Sequence, residues 1–313
     1  MVRVDFLKTF LTVAKTGSFK KAAKELGISV SSVSFQINAV EEFYGATLLK
    51  RGVDGVKLTD EGKIALKNIE SVLSSLEEAK KLIANIGGGK IVIASGMVGI
   101  NVVFNIQTLL KAKYPEVDVR VELRGAHECV RGVMRGDYDF AIVGDILEEH
   151  LNSDRLYVEE IGMDKLVLIV PPNHPLADKE IVMLRDVMEY PVISLTDYYG
   201  ITTSLKKALK SSGVSFDDLN VAYVVEDLFS QINSVSNGLG VAITSYIAVC
   251  KACEIGLIKI RDIKDLESER KIFFVSTKLS MESKRIREYA DFITRNARTL
   301  FATFYEQCLH EVR

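Results

Sequence analysis

Two sets of polar residues near the N-terminus have the types and spacing that contact with nucleic acid requires. Hydroxyl and amide side chains, which can hydrogen-bond to base edges, follow one another along one helical pattern: Ser31, Ser32, Ser34, Gln36 and Asn38. Side chains that suit phosphate oxygens flank that segment: Ser18, Lys20, Lys21, Lys50, Arg51 and Lys57. The first 60 residues carry nine Lys and Arg against six Asp and Glu, so they hold a charge of +3 within a chain of net charge −2. This asymmetry indicates a local nucleic-acid surface rather than a polybasic protein.

A second set of candidate binding residues lies where later helices are predicted to begin: Ser95, Gly96, Met97, His127, Thr196, Thr202 and Thr203. A helix N-terminus presents unpaired backbone N–H groups and the positive end of the helix dipole, so a small anion is a natural ligand there. The same hydroxyls can instead cap their own helices, and His127 can contact a ligand or act as a cap. Both interpretations stay open, and no Arg or Lys within 95–99 or 196–204 fixes the charge of a ligand.

Catalytic and metal-binding constellations are not visible in the sequence. It contains no phosphate-loop motif, no nucleophile elbow and no His-rich metal set, so we predict no enzyme activity, no cofactor and no metal. Cys250 and Cys253 form a Cys-x-x-Cys pair, but no second pair or nearby His completes four ligands. Buried, reduced thiols are therefore favoured over a redox or metal site.

Three short amphipathic helices and a hairpin must position the N-terminal polar residues. The glycines that end the helical patterns are Gly17, Gly27 and Gly45, and the candidate N-caps are Ser18 and Ser29. Two short helices joined by a tight Gly-containing turn are typical of a helix-turn-helix. Asp54-Gly55 between residues 48–51 and 56–58 then predicts a hairpin, which would form a wing.

A long helical pattern from Thr59 to Ile86 carries one narrow apolar seam. Its members alternate in steps of four and three: Ala65, Ile69, Val72, Leu76, Ala79, Ile83 and Ile86. This spacing is typical of a coiled coil, so we expect the seam to hold a homodimer together, and the alternative is packing onto the protein's own body. Gly87-Gly88-Gly89 then predicts a hinge.

Beyond the hinge, strands and helices alternate twice in the same order, which predicts two small parallel sheets in an α/β arrangement. The predicted strands are 91–95, 117–123 and 138–143 in the first unit, and 192–195, 221–225 and 241–244 in the second. Segments 156–161 and 166–170 are expected to be separate crossover strands, and strand 271–277 and helix 281–309 to return to the first unit. The predicted domains are 1–58, the linker 59–89, and 90–313, with lobe I at 90–162 and 268–313 and lobe II at 163–267. Ligands of such folds bind between lobes at the carboxyl ends of strands.

The N-terminal residues resemble LysR-type transcriptional regulators in order and spacing. The matching segments are Phe10-Leu11-Thr12-Val13-Ala14, Gly17-Ser18-Phe19, Ala22-Ala23, Ser31-Ser32-Val33-Ser34, Gln36-Ile37, Gly45 and Leu58-Thr59. Further landmarks look similar to the family's effector domain: Tyr114-Pro115, Gly136-Asp137-Tyr138-Asp139, 171–176 and Gly238-Leu239-Gly240-Val241. The resemblance implies a winged helix-turn-helix and a two-lobed, periplasmic-binding-protein-like domain. It also implies a homodimer or homotetramer that binds double-stranded DNA and a small, carboxylate or inorganic-anion effector, with RNA polymerase as a further partner.

Three departures from the family pattern concern DNA contact. Val30 and Phe35 stand where many relatives carry polar residues, and Asp54 stands where a wing Arg is common. Fewer hydrogen-bonding side chains therefore face the groove, so we expect the operator sequence to be recognised more by contacts with methyl groups and by DNA shape. Other function classes remain as alternatives, namely an architectural DNA-binding protein without a ligand and, less favoured, an enzyme built on the two lobes. No signal peptide and no apolar run of about 18–20 residues is visible, so we expect a cytoplasmic protein with no membrane contact.

Overall fold

The chain divides into two units, Met1–Ile83 and Ala84–Arg313. The computed structural model describes residues 2–52, 55–84, 89–144, 146, 148–151 and 153–311. Most of the predicted linker segment therefore belongs to the same unit as the N-terminal helices, rather than forming a segment of its own. Gly87 and Gly88 of the predicted hinge, and Ile86 of the predicted seam, lie outside the described residues.

The first unit is the predicted three-helix arrangement followed by a hairpin and a long helix. Its elements are α1 (Val4–Thr16), α2 (Phe19–Leu26), α3 (Val30–Tyr44), β1 (Leu49–Gly52), β2 (Gly55–Leu58) and α4 (Asp60–Ala84). The predicted caps are confirmed, because the Ser18 and Ser29 hydroxyls accept hydrogen bonds from backbone N–H groups of α2 and α3 at 3.3 and 3.0 Å. Gly17, Gly27 and Gly45 end the three helices with φ of +62°, +66° and +65°, in the left-handed region that favours glycine.

The predicted wing is present as an antiparallel pair of strands. Leu49 pairs with Leu58 and Gly52 with Gly55, whereas Asp54, at the predicted turn, lies outside the described residues. The backbone N–H of Val56 donates to the Gly17 carbonyl oxygen at 2.9 Å, which ties the wing to the turn between α1 and α2.

The linker helix buries part of the seam that was predicted to face a second copy. Ala65 and Ile69 are 3% and 1% exposed and pack, with Leu73, in the same core as Phe10 and Ile37. For Ala65 and Ile69 the dimer prediction is therefore wrong and the alternative, packing onto the protein's own body, holds. The C-terminal part of the seam is more exposed. Val72, Leu76 and Ile83 are 50%, 47% and 69% exposed, and Ala79 is half-buried.

The second unit has the predicted two-lobed α/β architecture. Its strands are β3 (Lys90–Ser95), β4 (Asp118–Leu123), β5 (Phe140–Val143), β6 (Leu156–Val170), β7 (Val192–Leu195), β8 (Val221–Val225), β9 (Ala242–Ser245), β10 (Lys259–Arg261) and β11 (Glu269–Thr277). Its helices are α5 (Ile100–Lys113), α6 (Ala126–Arg135), α7 (Glu148–Leu151), α8 (Leu184–Met188), α9 (Gly200–Ser211), α10 (Leu228–Ser236), α11 (Tyr246–Glu254) and α12 (Lys284–Glu311).

The strands form one seven-stranded mixed sheet that contains β3–β6 and β9–β11, and a separate two-stranded parallel sheet of β7 and β8, rather than the predicted two parallel sheets. In the first lobe β3 runs parallel to β4 and β5, while β11 runs antiparallel to β5 and β6. In the second lobe β7 is parallel to β8, and β9 and β10 pair antiparallel with the far end of β6. The prediction of two separate crossover strands at 156–161 and 166–170 is also wrong, since β6 is one continuous strand that serves both lobes. The antiparallel pairs arise because the chain passes between the lobes along β6 and returns along β11.

Candidate functional site

The N-terminal unit presents most of the predicted nucleic-acid contacts on its surface. Lys20, Lys21, Ser31, Asn38 and Lys57 are exposed, whereas Ser18, Ser32, Ser34 and Gln36 are half-buried. Lys50 is exposed as well, and the side chain of Arg51 lies outside what the structure describes. Exposed lysines therefore lie on α2, which packs against α3, and on the hairpin, and their side chains suit contact with a phosphate backbone.

Several hydroxyls at the start of α3 take part in its N-cap. The Ser29 Oγ lies 2.8 Å from both Ser31 Oγ and Ser32 Oγ, besides accepting from the backbone N–H of Ser32. Gln36 is engaged further along the helix, because its Oε1 accepts a hydrogen bond from the buried Thr9 hydroxyl at 2.5 Å. Gln36 thus ties α3 to α1, a role that the sequence pattern did not predict.

Two apolar side chains in the N-terminal half of α3 are exposed to solvent. Phe35 is 66% exposed and Val30 is 45% exposed, although both belong to the predicted DNA-contacting segment. The Phe35 ring meets the ring of Phe6 edge-on, with 6.0 Å between centroids. This contact anchors one edge of the ring to α1 and leaves most of it open to solvent.

The α3 helix is held rigidly against the hairpin. Glu41 accepts backbone N–H bonds from Leu48 and Leu49 at 2.7 and 3.0 Å, which fixes the start of the wing against the end of α3. The Thr59 hydroxyl accepts from the Gly62 N–H and donates to the Thr47 carbonyl, both at 2.8 Å. Thr59 therefore caps the N-terminus of the linker helix, and helix, wing and linker form one scaffold for the exposed surface.

The second unit has a narrow cleft between its lobes, with a cavity volume of about 10 Å³. Its lining comes from the loops after β3 and β5, the starts of α6 and α9, and β11: Gly96, Met97, Val98, Ala126, Gly144, Tyr199, Gly200, Ile201 and Arg270. The first turn of α9 supplies Gly200 and Ile201, whose backbone N–H groups have no partner within the helix. The site therefore combines a helix N-terminus with a cation.

Arg270 is the cation of this cleft, and a buried carboxylate positions it. The residue is 9% exposed and Asp164 is fully buried. The Arg270 Nε donates to Asp164 Oδ2 at 2.9 Å, its Nη2 lies 2.8 Å from the same oxygen, and its Nη1 donates to Ser204 Oγ at 3.2 Å. Asp164 also accepts from the Ser245 hydroxyl at 2.7 Å and the Ile247 N–H at 3.2 Å. One network thus joins β6 and β11 to α9 and α11.

Of the residues predicted for effector contact, the structure places Gly96 and Met97 in the lining of the cleft. Ser95 is fully buried and its hydroxyl donates to the Gly96 carbonyl at 3.0 Å. The Thr202 hydroxyl donates to the carbonyl oxygens of Leu195 and Thr196 at 3.2 and 3.1 Å. These two hydroxyls therefore bond to local carbonyls, which is neither the predicted N-capping nor a contact with the cleft.

The other predicted effector residues lie near the cleft but outside its lining. His127, Thr196 and Thr203 are half-buried. The Nδ1 atom of His127 is buried and has no hydrogen-bond partner, and His127 follows directly on Ala126 in the lining. Among the lining residues that sequence reasoning missed is the cation Arg270, which carries no local signal because it lies within a strand.

Contacts across the mouth of the cleft hold the two lobes close together. A Cβ atom at Gly125 would lie 2.3 Å from the Tyr198 carbonyl oxygen and 3.2 Å from the Tyr198 ring, so only glycine fits there. The Asn101 amide donates to the Ile247 carbonyl at 2.6 Å. Burial raises the pKa of the neighbouring Tyr199.

The four cysteines are free thiols. Cys250 is buried and donates to the Ile247 carbonyl, and Cys253 is half-buried. Burial raises the pKa of Cys129 to about 12. Among the described residues, no three His, Cys, Asp or Glu side chains are grouped to hold a metal ion. No helix in the described part of the chain is both long and apolar enough to cross a membrane.

Two protein families match this chain over most of its length. Residues 4–63 match the family described as bacterial regulatory helix-turn-helix protein, lysR family, and residues 88–298 match the LysR substrate binding domain. A similar curated protein is an uncharacterized HTH-type transcriptional regulator of Methanocaldococcus jannaschii. It is 35% identical over 297 residues, which cover 94% of this chain and 99% of the relative.

Solved structures of this type share the fold. One is CbnR, a LysR family transcriptional regulator, with a TM-score of 0.61, 19% identity and coverage of 94% of this chain and 99% of that one. CbnR has also been solved with its target DNA, and that structure has a TM-score of 0.53, 19% identity and coverage of 94% and 99% of the two chains. The regulatory domain of CcmR from Synechocystis PCC6803, in complex with 2-PG, has a TM-score of 0.60 and 16% identity, and it covers 67% of this chain and 98% of that one.

Proposed function

Because the chain belongs to the LysR family of transcriptional regulators, we propose that α3 of its N-terminal unit enters the major groove of a specific operator and that a small anion bound in the interlobe cleft controls this activity. The protein acts in the cytoplasm as a homodimer or a higher oligomer, in which two N-terminal units bind two half-sites.

The exposed surface of the N-terminal unit supports the DNA-binding part of this proposal. Lys20 and Lys21 on α2 and Lys57 on the wing are exposed and can contact phosphates. Ser31 and Asn38 are exposed on α3 itself, in its first and third turns. CbnR, which has the same fold, is described in complex with its target DNA.

The single observation that carries the effector part is the buried Arg270 in the lining of the cleft. A guanidinium ion beside the N-terminus of α9 favours an anion, because both present N–H donors and positive potential. The network with Asp164 and Ser204 holds this guanidinium in one orientation. CcmR, whose regulatory domain shares the fold, is described with 2-PG bound. We therefore favour small carboxylates and phosphorylated acids.

The effector part is tested by thermal shift of the full-length protein against a panel of small carboxylic acids, phosphorylated acids including 2-PG, and their neutral amides. We expect one or more anions to raise the melting temperature, and the matching neutral amides to have no effect. Equal stabilisation by the neutral amides would contradict an anion site. The absence of any stabilising compound would favour the alternative of a ligand-independent architectural DNA-binding protein, and turnover of a stabilising compound would favour an enzyme.

A further inference from the structure

We propose that Phe35, assisted by Val30, reads the C5-methyl groups of thymines in the operator half-site. This inference rests on the proposed function, since it requires α3 to lie in the major groove. There the thymine methyl is the one apolar feature that distinguishes base pairs, and apolar side chains recognise it.

The first observation is the position of the Phe35 ring on the DNA-contacting surface. Ser31, Phe35 and Asn38 follow one another at helical spacing and are all exposed, so they share one face of α3. The side chain of Phe35 is 66% exposed, which leaves its apolar ring surface in water when no DNA is bound. A ring in this position would be covered by the bases themselves.

The second observation is the contact that orients this ring. Phe6 of α1 meets Phe35 edge-on with 6.0 Å between centroids. Such a pair is favourable beyond its buried area and limits the rotamers of Phe35. The ring is therefore pre-positioned with its outer part directed away from α1, which lowers the conformational cost of docking against a base.

The third observation is the absence of charge along this part of α3. Residues 30–40 include no Asp, Glu, Lys or Arg, so the segment neither repels phosphates nor anchors on them. The hydroxyls of Ser31 and Ser32 lie 2.8 Å from the Ser29 hydroxyl, and the Gln36 carbonyl oxygen is held by Thr9. Because these polar groups already have partners within the N-terminal unit, apolar contact gains weight in reading the sequence.

Exposed lysines of the same unit supply the phosphate contacts that apolar side chains cannot make. Lys20, Lys21 and Lys57 are exposed on the same unit as α3, and the phosphate contacts that they offer are independent of sequence. Val30, at the first position of α3 and 45% exposed, adds a second apolar group at the tip of the helix. The lysines thus provide affinity for any duplex, and the apolar side chains provide the sequence preference. A surface that combines both fits a DNA duplex better than an apolar protein partner.

The experiment replaces single thymines by uracil, which removes only the C5-methyl group and keeps base pairing. The probe is a duplex that the full-length protein selects from a random library in vitro, and binding is measured by fluorescence anisotropy. We expect each half-site to contain at least one thymine whose replacement weakens binding about fourfold. This factor corresponds to about 0.8 kcal/mol, the free energy gained by burying one methyl group. In Phe35→Ala the same replacement should change the dissociation constant by less than about 1.5-fold.

Two further variants separate this role from folding. Phe35→Leu keeps an apolar contact and should retain part of the uracil effect. Phe229→Ala removes a ring that is 76% exposed in the second unit, and it should behave like the wild type. The inference is overturned if no uracil substitution weakens wild-type binding, or if the effect persists undiminished in Phe35→Ala. Failure of the protein to select any duplex would overturn the proposed function instead.

Discussion

The buried pair between Asp164 and Arg270 gives the sharpest prediction about the cleft. Arg270→Met removes the cation and leaves the fully buried Asp164 carboxylate with the Ser245 hydroxyl and the Ile247 N–H as its described donors. An uncompensated buried charge costs about 3–5 kcal/mol. For a unit of this size each kcal/mol corresponds to about 2–4 °C, so the melting temperature should fall by roughly 6–20 °C.

The double variant Asp164→Leu/Arg270→Met separates the structural role of Arg270 from its role in binding. With both charges replaced by apolar groups of similar volume, the unfavourable buried carboxylate is gone, and we expect more than half of the lost stability to return. The stabilising anion, in contrast, should no longer raise the melting temperature of this folded variant. Additive destabilisation in differential scanning calorimetry would refute the buried-pair reasoning. An anion response equal to that of the wild type would refute the assignment of Arg270 to the ligand.

Three further predictions concern other parts of the molecule. Val72→Asp, in the exposed C-terminal part of the seam on α4, should shift the protein toward monomer in sedimentation velocity. Lys67→Asp, which lies outside the seam, should not. An unchanged mass for Val72→Asp would reject the seam as a dimer contact. Lys21→Gln should weaken binding to all duplexes and reduce the slope of log affinity against log salt by about one, while Lys259→Gln in the second unit leaves it unchanged. Cys129, with its pKa raised to about 12 by burial, should stay protonated and unreactive toward a thiol reagent at pH 8 until the protein unfolds, and fast labelling in the native state would contradict this.

The local elements were predictable from the sequence because their signals are local. Gly45 ends α3 where the sequence places the end, and strands β7 and β8 have the predicted bounds 192–195 and 221–225. Caps and turn glycines act within three or four residues, so one short window contains the whole cause.

The remaining features depend on contacts between distant residues. Asp164 interrupts the apolar pattern at 156–170, yet the strand continues, since Arg270 pairs with Asp164 across 106 positions. The seam at Ala65 and Ile69 has the same spacing whether a second copy or the protein's own core covers it. Gln36 likewise fits base contact by position, and only the fold shows that Thr9 engages it.

Insertion of α3 into a duplex is the central claim. Hydroxyl-radical footprinting of the full-length protein on its selected duplex tests this insertion most directly. We predict two protected half-sites separated by one helical turn, about 10 bp, or a multiple of it, with protection that is lost as salt is raised. A single continuous footprint without half-sites, or protection that is insensitive to salt and to sequence, would contradict the account.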